Sequence, residues 1–562
     1  MNETIWIHPE PTDETRLLAK DLGIPEEIAQ ILVNRHICDV ESARGFLFGT
    51  LQDLVDPFLM SGMDAAVSRI RTAIENGEKI MIFGDYDVDG ILSVVTLTKA
   101  LESMGGQVEY FIPERLKEGY GIKKGYIDRV REKACALVIS VDCGIKAVDF
   151  TREARARGID VIITDHHQPG EQLPQALSIL NPKLDSSRYP DKNLAGIGVA
   201  FKLIQALLEG AGKAELVPHY LKMVSIGTIA DVVSLRGENR LFVKYGLEAL
   251  ANVSNPGLIS LMEVCGLDRS RVSVGDVGFR IGPRINAAGR MGMTDLAVRL
   301  FLTRVPGEGT TLAGTLNRLN TDRQKVEEKI LQQAVSRIEE GTLHHRHKIL
   351  ILGCEQWHRG VIGIVASKLK DLYHRPVLMF AYKNGKAFGS GRSIRGFSLI
   401  ECLKNNQDRL ENFGGHIQAV GCELSCADMD GFKQDVNAYA DTHICDEDLK
   451  RKILIDAEIV FDRIDSEFLE KMALLSPFGM GNPRPLFLSR GAEVIAPPRK
   501  LKQKHCKFLL RQAGRVFEAL GWGQGEWADR VGKGDRIDLV YSFQISRFQG
   551  QEKVNLNLED IR

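Results

Sequence analysis

The chain has no run of about 18 apolar residues, so no membrane-spanning helix is expected. Its first residues, MNETIWIHPEPTDETR, are polar and acidic and lack the apolar core of a signal peptide. No Cys-x-x-Cys pair occurs among the 10 cysteines, which excludes the usual structural zinc sites. A chain of 562 residues does not need disulfides to hold a core, so free thiols in a reducing cytoplasm are expected. Net charge is nearly absent as well: 73 Lys and Arg face 74 Asp and Glu. That balance excludes a globally basic nucleic-acid binder but leaves room for a locally basic face. Internal repeats and low-complexity tracts are missing. The remainder is an ordinary globular composition, enough for three or four domains at roughly 150 residues each.

Apolar periodicity supplies the organisation. Residues 1–72 read as a helical, connective segment. From 73 to 300 short β-branched runs alternate with helical stretches: KIMIF (79–83), VEYFIP (108–113), ALVISV (136–141), DVIIT (160–164) and SIL (178–180). Buried strands alternating with helices predict a parallel α/β sheet. Residues 301–343 contain a stretch with few breakers, expected to form a connecting helix about 45 Å long that acts as a strut. Residues 344–450 read as a second α/β domain with glycine-rich turns at 389–393 and 414–415. From 451 to 562 five short strand patterns with turn signals predict a small β-barrel.

The chemistry lies where the strands end. Asp85, Asp87 and Asp89 follow the first strand, Asp142 follows the third, and Asp165, His166 and His167 follow the fourth. In an open parallel sheet these C-terminal ends share one edge, where ligands bind. Each piece alone has a bland explanation: a DxDxD turn is often solvated, and a His-His pair is often structural. Together they would crowd carboxylates that repel unless cations neutralise them. Oxygen ligands with one or two imidazoles suit Mg²⁺ or Mn²⁺. Asp231, in the apolar stretch GTIADVVSL (227–235), is a further candidate, although alone it would also fit a helix cap or half of an ion pair.

GDYDVDG, SVDCGI, TDHH and GTIADVV resemble the four motifs of the DHH phosphoesterase family. RINAAGRM (284–291), HRGVIGIVASKL (358–369), GSGRS (389–393), FGGH (413–416) and PFGMGNPRP (477–485) resemble segments of its RecJ branch, the bacterial single-strand-specific 5′→3′ exonucleases. The resemblance implies a DHH domain, a DHH-associated domain and a C-terminal OB-like barrel. It implies that Asp87 and Asp142 hold one cation, and that Asp89, Asp142, His166 and Asp231 hold the other, with Asp142 bridging. Asp85 would be an additional ligand or lie behind one, and His167 would orient a ligand or contact phosphate. DHH pyrophosphatases carry a His where this chain has Phe83. The departure argues against that activity and leaves the first site short of a ligand unless Asp85 fills in.

Several groups are suited to nucleic acid. GSGRS offers backbone N–H groups, hydroxyls and the Arg392 fork, a combination that suits a phosphate; a tight turn with a surface Arg explains it equally well. The resemblance makes Ser390 and Arg392 part of a pocket for a 5′-terminal phosphate, with Arg115 able to close it and Tyr120 able to stack on a base. Arg284, Asn286 and Arg290 are suited to line a strand channel, and His416 has the same standing. HHRH (344–347) sits at a linker and reads as solvated. Residues 484–520 carry nine Lys or Arg against Glu493 and Glu518. A charge run is usually only a solvated face. Here Phe508, Phe517 and Trp522 are interleaved with it, as expected of a barrel that grips a single strand.

These readings converge on a two-cation exonuclease removing nucleotides 5′→3′ from single-stranded DNA, in DNA repair and recombination. Partners implied by the resemblance are a single-stranded-DNA-binding protein and a RecQ-type helicase. The alternative is a phosphodiesterase acting on short oligonucleotides or cyclic dinucleotides, which the basic C-terminal region disfavours. A non-catalytic nucleic-acid-binding scaffold is a further alternative, but it has no physical need for crowded carboxylates.

Overall fold

Lys79–Gly84 and its neighbours are apolar runs too short for helices and too buried for loops, and they form one five-stranded parallel sheet. The computed structural model describes residues 4–113, 121–548 and 551–562. The strand order is Gln107–Phe111, Lys79–Gly84, Cys135–Val141, Asp160–Thr164, Ser178–Leu180. Every adjacent pair is parallel, so the strand ends meet along one edge as expected. Helix Val88–Ser103 is buried on nearly every side, which its continuous apolar text requires. With Gly196–Glu209 and Leu221–Ala230 it builds the main core over one sheet face. Phe83 lies in the smaller core on the opposite face, with its ring centroid 5.2 Å from Phe111 and 5.7 Å from Phe150.

The connecting helix spans Pro306–Glu340, 35 residues. It leads to a second sheet of order Asn412–His416, Ala419–Ser425, Lys386–Arg392, Val377–Lys383, Leu350–Cys354. The segments expected as glycine-rich turns are strands of this sheet. In the first of them the glycines serve packing: a Cβ on Gly389 would stand 2.4 Å from Cys422 Sγ, and one on Gly391 2.6 Å from Leu378 Cδ2.

Five strands close the C-terminal barrel: Phe487–Val494, Arg536–Phe548, Gln551–Ile561, Arg515–Gly521 and His505–Gln512. The first and last are joined at Glu493–Arg511 and Val494–Leu510. The N-terminal segment departs from the expectation of connective helices. Ile5–Ile7 is a strand paired in parallel with Lys452–Leu454. Helices Asp13–Leu22, Glu26–Asn34 and Val40–Phe48 share one core with the barrel, through residues such as Ile28, Leu32, Phe461 and Phe487. All ten cysteines are free, and no helix among the described residues is long and apolar enough to cross a membrane.

Candidate functional site

Asp85, Asp87 and Asp89 sit where the strand Lys79–Gly84 turns into helix Val88–Ser103. Asp87 is the N-cap, its Oδ1 accepting from Gly90 N at 3.1 Å. Asp89, fully enclosed, accepts from the first backbone N–H groups of helix Gly196–Glu209. Gly196 N lies 2.7 Å from Oδ2 and Ile197 N lies 2.7 Å from Oδ1. Asp142 follows the strand Cys135–Val141 at φ 58°, in the left-handed region that non-glycine residues rarely occupy. Gly196 packs so close to it that a Cβ there would lie 2.5 Å from Asp142 Oδ1. Asp231 caps the C-terminal end of helix Leu221–Ala230.

These residues, spread over 147 positions of chain, are neighbours in space. Within each of three groups, candidate ligand atoms lie within 4.8 Å of one another: Asp85, Asp87 and Asp142; Asp89, His166 and Asp231; Asp142, His166 and His167. His166 Nε2 is 3.2 Å from Asp142 Oδ1 and 3.7 Å from Asp231 Oδ2. Asp85 joins Asp87 and Asp142 in one group, and Asp89, His166 and Asp231 form another from which Asp142 is absent. Phe83, at the position of the missing His, is core.

Electrostatics agree with a cation site. Burial raises Asp89 to about 7, and the neighbouring Asp87 adds to the shift. Asp142 is raised well above the carboxylate range, by burial first and then by Asp89 and Asp87, and Asp231 is raised by the same causes. Burial lowers His166 to about 3, with His167 contributing, so its imidazole is neutral and able to ligate. Among the described residues Asp142 Oδ1, Asp231 Oδ2 and His166 Nε2 are buried without a hydrogen-bond partner. Buried acceptors of this kind are costly unless something positive faces them. The residues therefore fit a pair of hard divalent cations.

Two roles were not visible in the sequence. Asp165 is fully buried and saturated: Oδ1 accepts from His166 N at 2.7 Å, His167 N at 3.0 Å and His167 Nδ1 at 2.7 Å, and Oδ2 accepts from Ile145 N at 2.9 Å. It orients the histidine pair and takes no place in the ligand groups. Burial works against ionising Asp165, but the hydrogen bonds and charge of His167 together with the Ile145 N–H outweigh it and hold the carboxyl below its ordinary range. Burial likewise opposes protonation of His167, but the Asp165 hydrogen bond and the charges of Asp165, Asp85 and Asp89 together raise the imidazole. Lys183, in the NPK turn after Ser178–Leu180, offsets part of the negative field at Asp231. Only a Lys three residues past a strand signalled it.

Beside the metal-ligand groups lies a cleft of about 730 Å³ between the parallel sheet and the second sheet, walled by His167, Lys146, Arg359, Phe388, Asn412 and His416. His416, on the exposed edge strand, lines this cleft. Ser390 and Arg392 lie in the strand Lys386–Arg392 rather than in a turn. They stand against the start of helix Ile362–Tyr373: a Cβ on Gly363 would lie 2.7 Å from Ser390 Oγ and 3.5 Å from an Arg392 guanidinium nitrogen. The Ser393 hydroxyl is spent on Phe397 O at 2.7 Å. Arg290 donates to Gly360 O at 2.8 Å and so ties the first domain to the second. Arg284 donates to Asn317 Oδ1 at 2.9 Å and to Arg280 O at 2.6 Å; Asn286 is half-buried on the same helix. Arg115 and Tyr120 lie outside the described residues. His344 of HHRH packs on Tyr373, centroids 5.3 Å apart, and the tract joins none of the metal-ligand groups among the described residues.

The barrel carries fewer open charges than its sequence suggested. Lys500, Lys507, Arg490 and Arg511 are paired with Asp529, Glu518, Glu458 and Glu493. Among the described residues Arg499, Lys502, Lys504 and Arg515 make no ion pair. Phe508 is buried in the barrel core and cannot stack on a base, Phe517 is half-buried, and Trp522 is 54% exposed.

Three family models match: the DHH family N-terminal domain at residues 79–228, the DHHA1 domain at 346–442 and the RecJ OB domain at 455–560. The single-stranded-DNA-specific exonuclease RecJ of Bacillus subtilis (strain 168) is 38% identical over 552 residues, 98% of this chain and 69% of that one. Its namesake from Escherichia coli (strain K12) is 30% identical over 587 residues, covering 100% of both chains. The crystal structure of RecJ in complex with Mn²⁺ from Thermus thermophilus superposes with a TM-score of 0.85 at 31% identity, covering 100% of this chain and 79% of that one. The Mg²⁺ complex from the same source gives 0.80 at 30% identity, covering 100% and 78%. With matches that run along its full length, the chain belongs to the RecJ family of the DHH phosphoesterases.

Proposed function

We propose that this protein is a single-stranded-DNA-specific exonuclease that hydrolyses phosphodiesters from the 5′ end. The convergence of Asp85, Asp87, Asp89, Asp142, His166 and Asp231 on one sheet edge beside an open cleft carries the reading. Asp85, Asp87 and Asp142 form one ligand set; Asp89, His166 and Asp231 form the other, with Asp142 between them. Two divalent cations, Mn²⁺ or Mg²⁺, when held there supply an activated water and neutralise charge on the attacked phosphate.

The chain does the rest by positioning. Asp165 fixes His167 Nδ1 and favours the protonated imidazole, so His167 on the cleft wall is placed to contact a phosphate oxygen. Ser390, Arg392 and the start of helix Ile362–Tyr373 hold the terminal 5′-phosphate, since helix N-termini and guanidinium forks both favour anions. His416 and Arg359 line the path between them. The barrel recruits the strand through Arg499, Lys502, Lys504 and Arg515, with Trp522 as a stacking platform. That surface is superfluous for a cyclic dinucleotide, which favours long strands as substrate. An enzyme confined to single strands needs its substrate unwound, so a RecQ-type helicase and a single-stranded-DNA-binding protein in the cytoplasm, in repair and recombination, are the expected context.

The test is a 5′-labelled single strand and its duplex, each incubated with Mn²⁺, Mg²⁺ or EDTA. Release of labelled mononucleotide from the single strand only, and only with metal, is expected. Release with EDTA, or none with either metal, refutes the reading.

A further inference from the structure

The segment PFGMGNPRP (477–485) belongs to neither the metal-ligand groups nor the strand cleft, yet it is among the most tightly held loops of the molecule. Gly479 and Asn482 exchange backbone hydrogen bonds, Gly479 N to Asn482 O at 2.8 Å and Asn482 N to Gly479 O at 3.1 Å, closing a tight turn. Asn482 is fully buried, its Nδ2 donating to Leu475 O at 2.8 Å and Pro477 O at 2.7 Å. Arg35 donates to Asn482 Oδ1 and to Pro483 O. Arg240, also buried, donates to Leu474 O at 2.8 Å, Ser476 O at 2.6 Å and Phe46 O at 2.8 Å.

The tip of this turn rests on the residues just after Asp231. Leu235 N donates to Met480 O at 2.8 Å, and Arg236 Nε donates to Gly481 O at 3.0 Å. Both glycines are required by that contact. A Cβ on Gly479 would stand 2.6 Å from Leu235 Cδ1; Gly481 adopts φ 71°, and a Cβ there would stand 2.2 Å from Ser234 Oγ. Between Asp231 and this anchored stretch lies Val232 at φ 62°, a left-handed conformation that a β-branched residue adopts only when its surroundings impose it. Val232 is itself 57% exposed, so its own side-chain packing does not impose it.

We propose that the Gly479–Asn482 turn, carried by the chain leading into the barrel, positions Asp231 for cation binding by clamping residues 234–236 and so holding the strained Val232. Arg236 and Gly481 are positioning residues. The proposal rests on the two-cation reading above and adds to it a dependence of one cation site on a loop of another domain. Groups that orient ligands from behind typically change metal affinity about 10–100-fold when lost.

The test is Mn²⁺ binding to the metal-free full-length protein, followed by calorimetry and by the Mn²⁺ resonance signal, without substrate. Gly481→Ala should weaken one of the two bound Mn²⁺ roughly tenfold and leave the other unchanged. Ser234→Gly added to Gly481→Ala removes the clashing Oγ but not the strain of φ 71°, so it should restore binding only in part. Arg236→Ala, which breaks a contact on a half-exposed side chain and leaves the turn's core intact, should weaken the same ion even if Gly481→Ala fails to fold. The proposal falls if Arg236→Ala and a folded Gly481→Ala bind Mn²⁺ as wild type does while Asp231→Asn loses an ion. A wild-type protein without Mn²⁺ affinity, or an Asp231→Asn variant with full affinity, instead overturns the cation reading and this proposal with it.

Discussion

Asp142 belongs to two of the three ligand groups and, among the described residues, is the only carboxylate that does. Asp142→Ala should therefore lower turnover on the order of a thousandfold or more, because ligands acting as a unit are not replaced by their neighbours; single-turnover kinetics on a labelled strand would measure it. The raised carboxylates make a second prediction about the metal-free protein. Asp89, at about 7, and Asp142 and Asp231, also raised, hold protons in the folded state that the unfolded chain has released above its ordinary carboxylate range. At these three carboxylates the folded state binds more protons, so their contribution to stability falls as pH rises from about 4 through 7, opposed below about 6.5 by the single neutral His166. In EDTA the melting temperature should drop between pH 5 and pH 8, and added Mn²⁺ should recover it at pH 8 with proton release. A flat profile in EDTA would contradict the burial of ionisable carboxylates. The candidate ligands other than Asp231 were legible because each lies just past a strand end; Asp231 ends a helix and stood out only by its apolar surroundings. Asp165 was less so: its position beside two histidines reads as a ligand, and only the four donors around it show that its oxygens are already occupied.

At the scale of elements, the parallel strands were legible nearly residue by residue, since β-branched runs bounded by polar turns leave little choice. The glycine-rich strands of the second sheet were not. GSGRS and FGGH read as turns because glycine weakens strands in general, yet at Gly389 and Gly391 bulk from Phe380, Cys422 and Val420 on the neighbouring strands leaves no space for a side chain. Gly389→Val should accordingly cost about 1–3 kcal/mol as an overpacked core site, seen as a lower denaturation midpoint. Arg392 ends the same strand at the start of helix Ile362–Tyr373. Arg392→Ala should abolish the preference for a 5′-phosphorylated over a 5′-hydroxyl end while sparing cation binding; an unchanged preference would remove it from the pocket.

For the whole molecule, local charge in the sequence overstated the binding face. Ion pairs formed across the barrel neutralise several of the nine basic residues, and no counting along the chain anticipates partners such as Asp529 and Glu458. Replacing Lys502 and Lys504 with Glu should weaken binding of long single strands, lower its salt dependence by about 0.7 per lost phosphate contact, and leave short oligonucleotide turnover nearly intact. Equal loss on both lengths would point to a structural effect. The union of the N-terminal helices with the barrel was also invisible, because each half shows an apolar face without naming its partner.

That union bears on how the protein is made. Ile5–Ile7 waits for Lys452–Leu454, and the helices carrying Ile28 and Leu32 wait for Phe461 and Phe487. These N-terminal elements thus find their resting place only after residues beyond 450 have been made. In the interval their greasy faces are exposed to the nascent chain and to any chaperone at the exit tunnel. An early stop in translation would therefore leave more than a missing barrel: it would also leave the opening helices without a home.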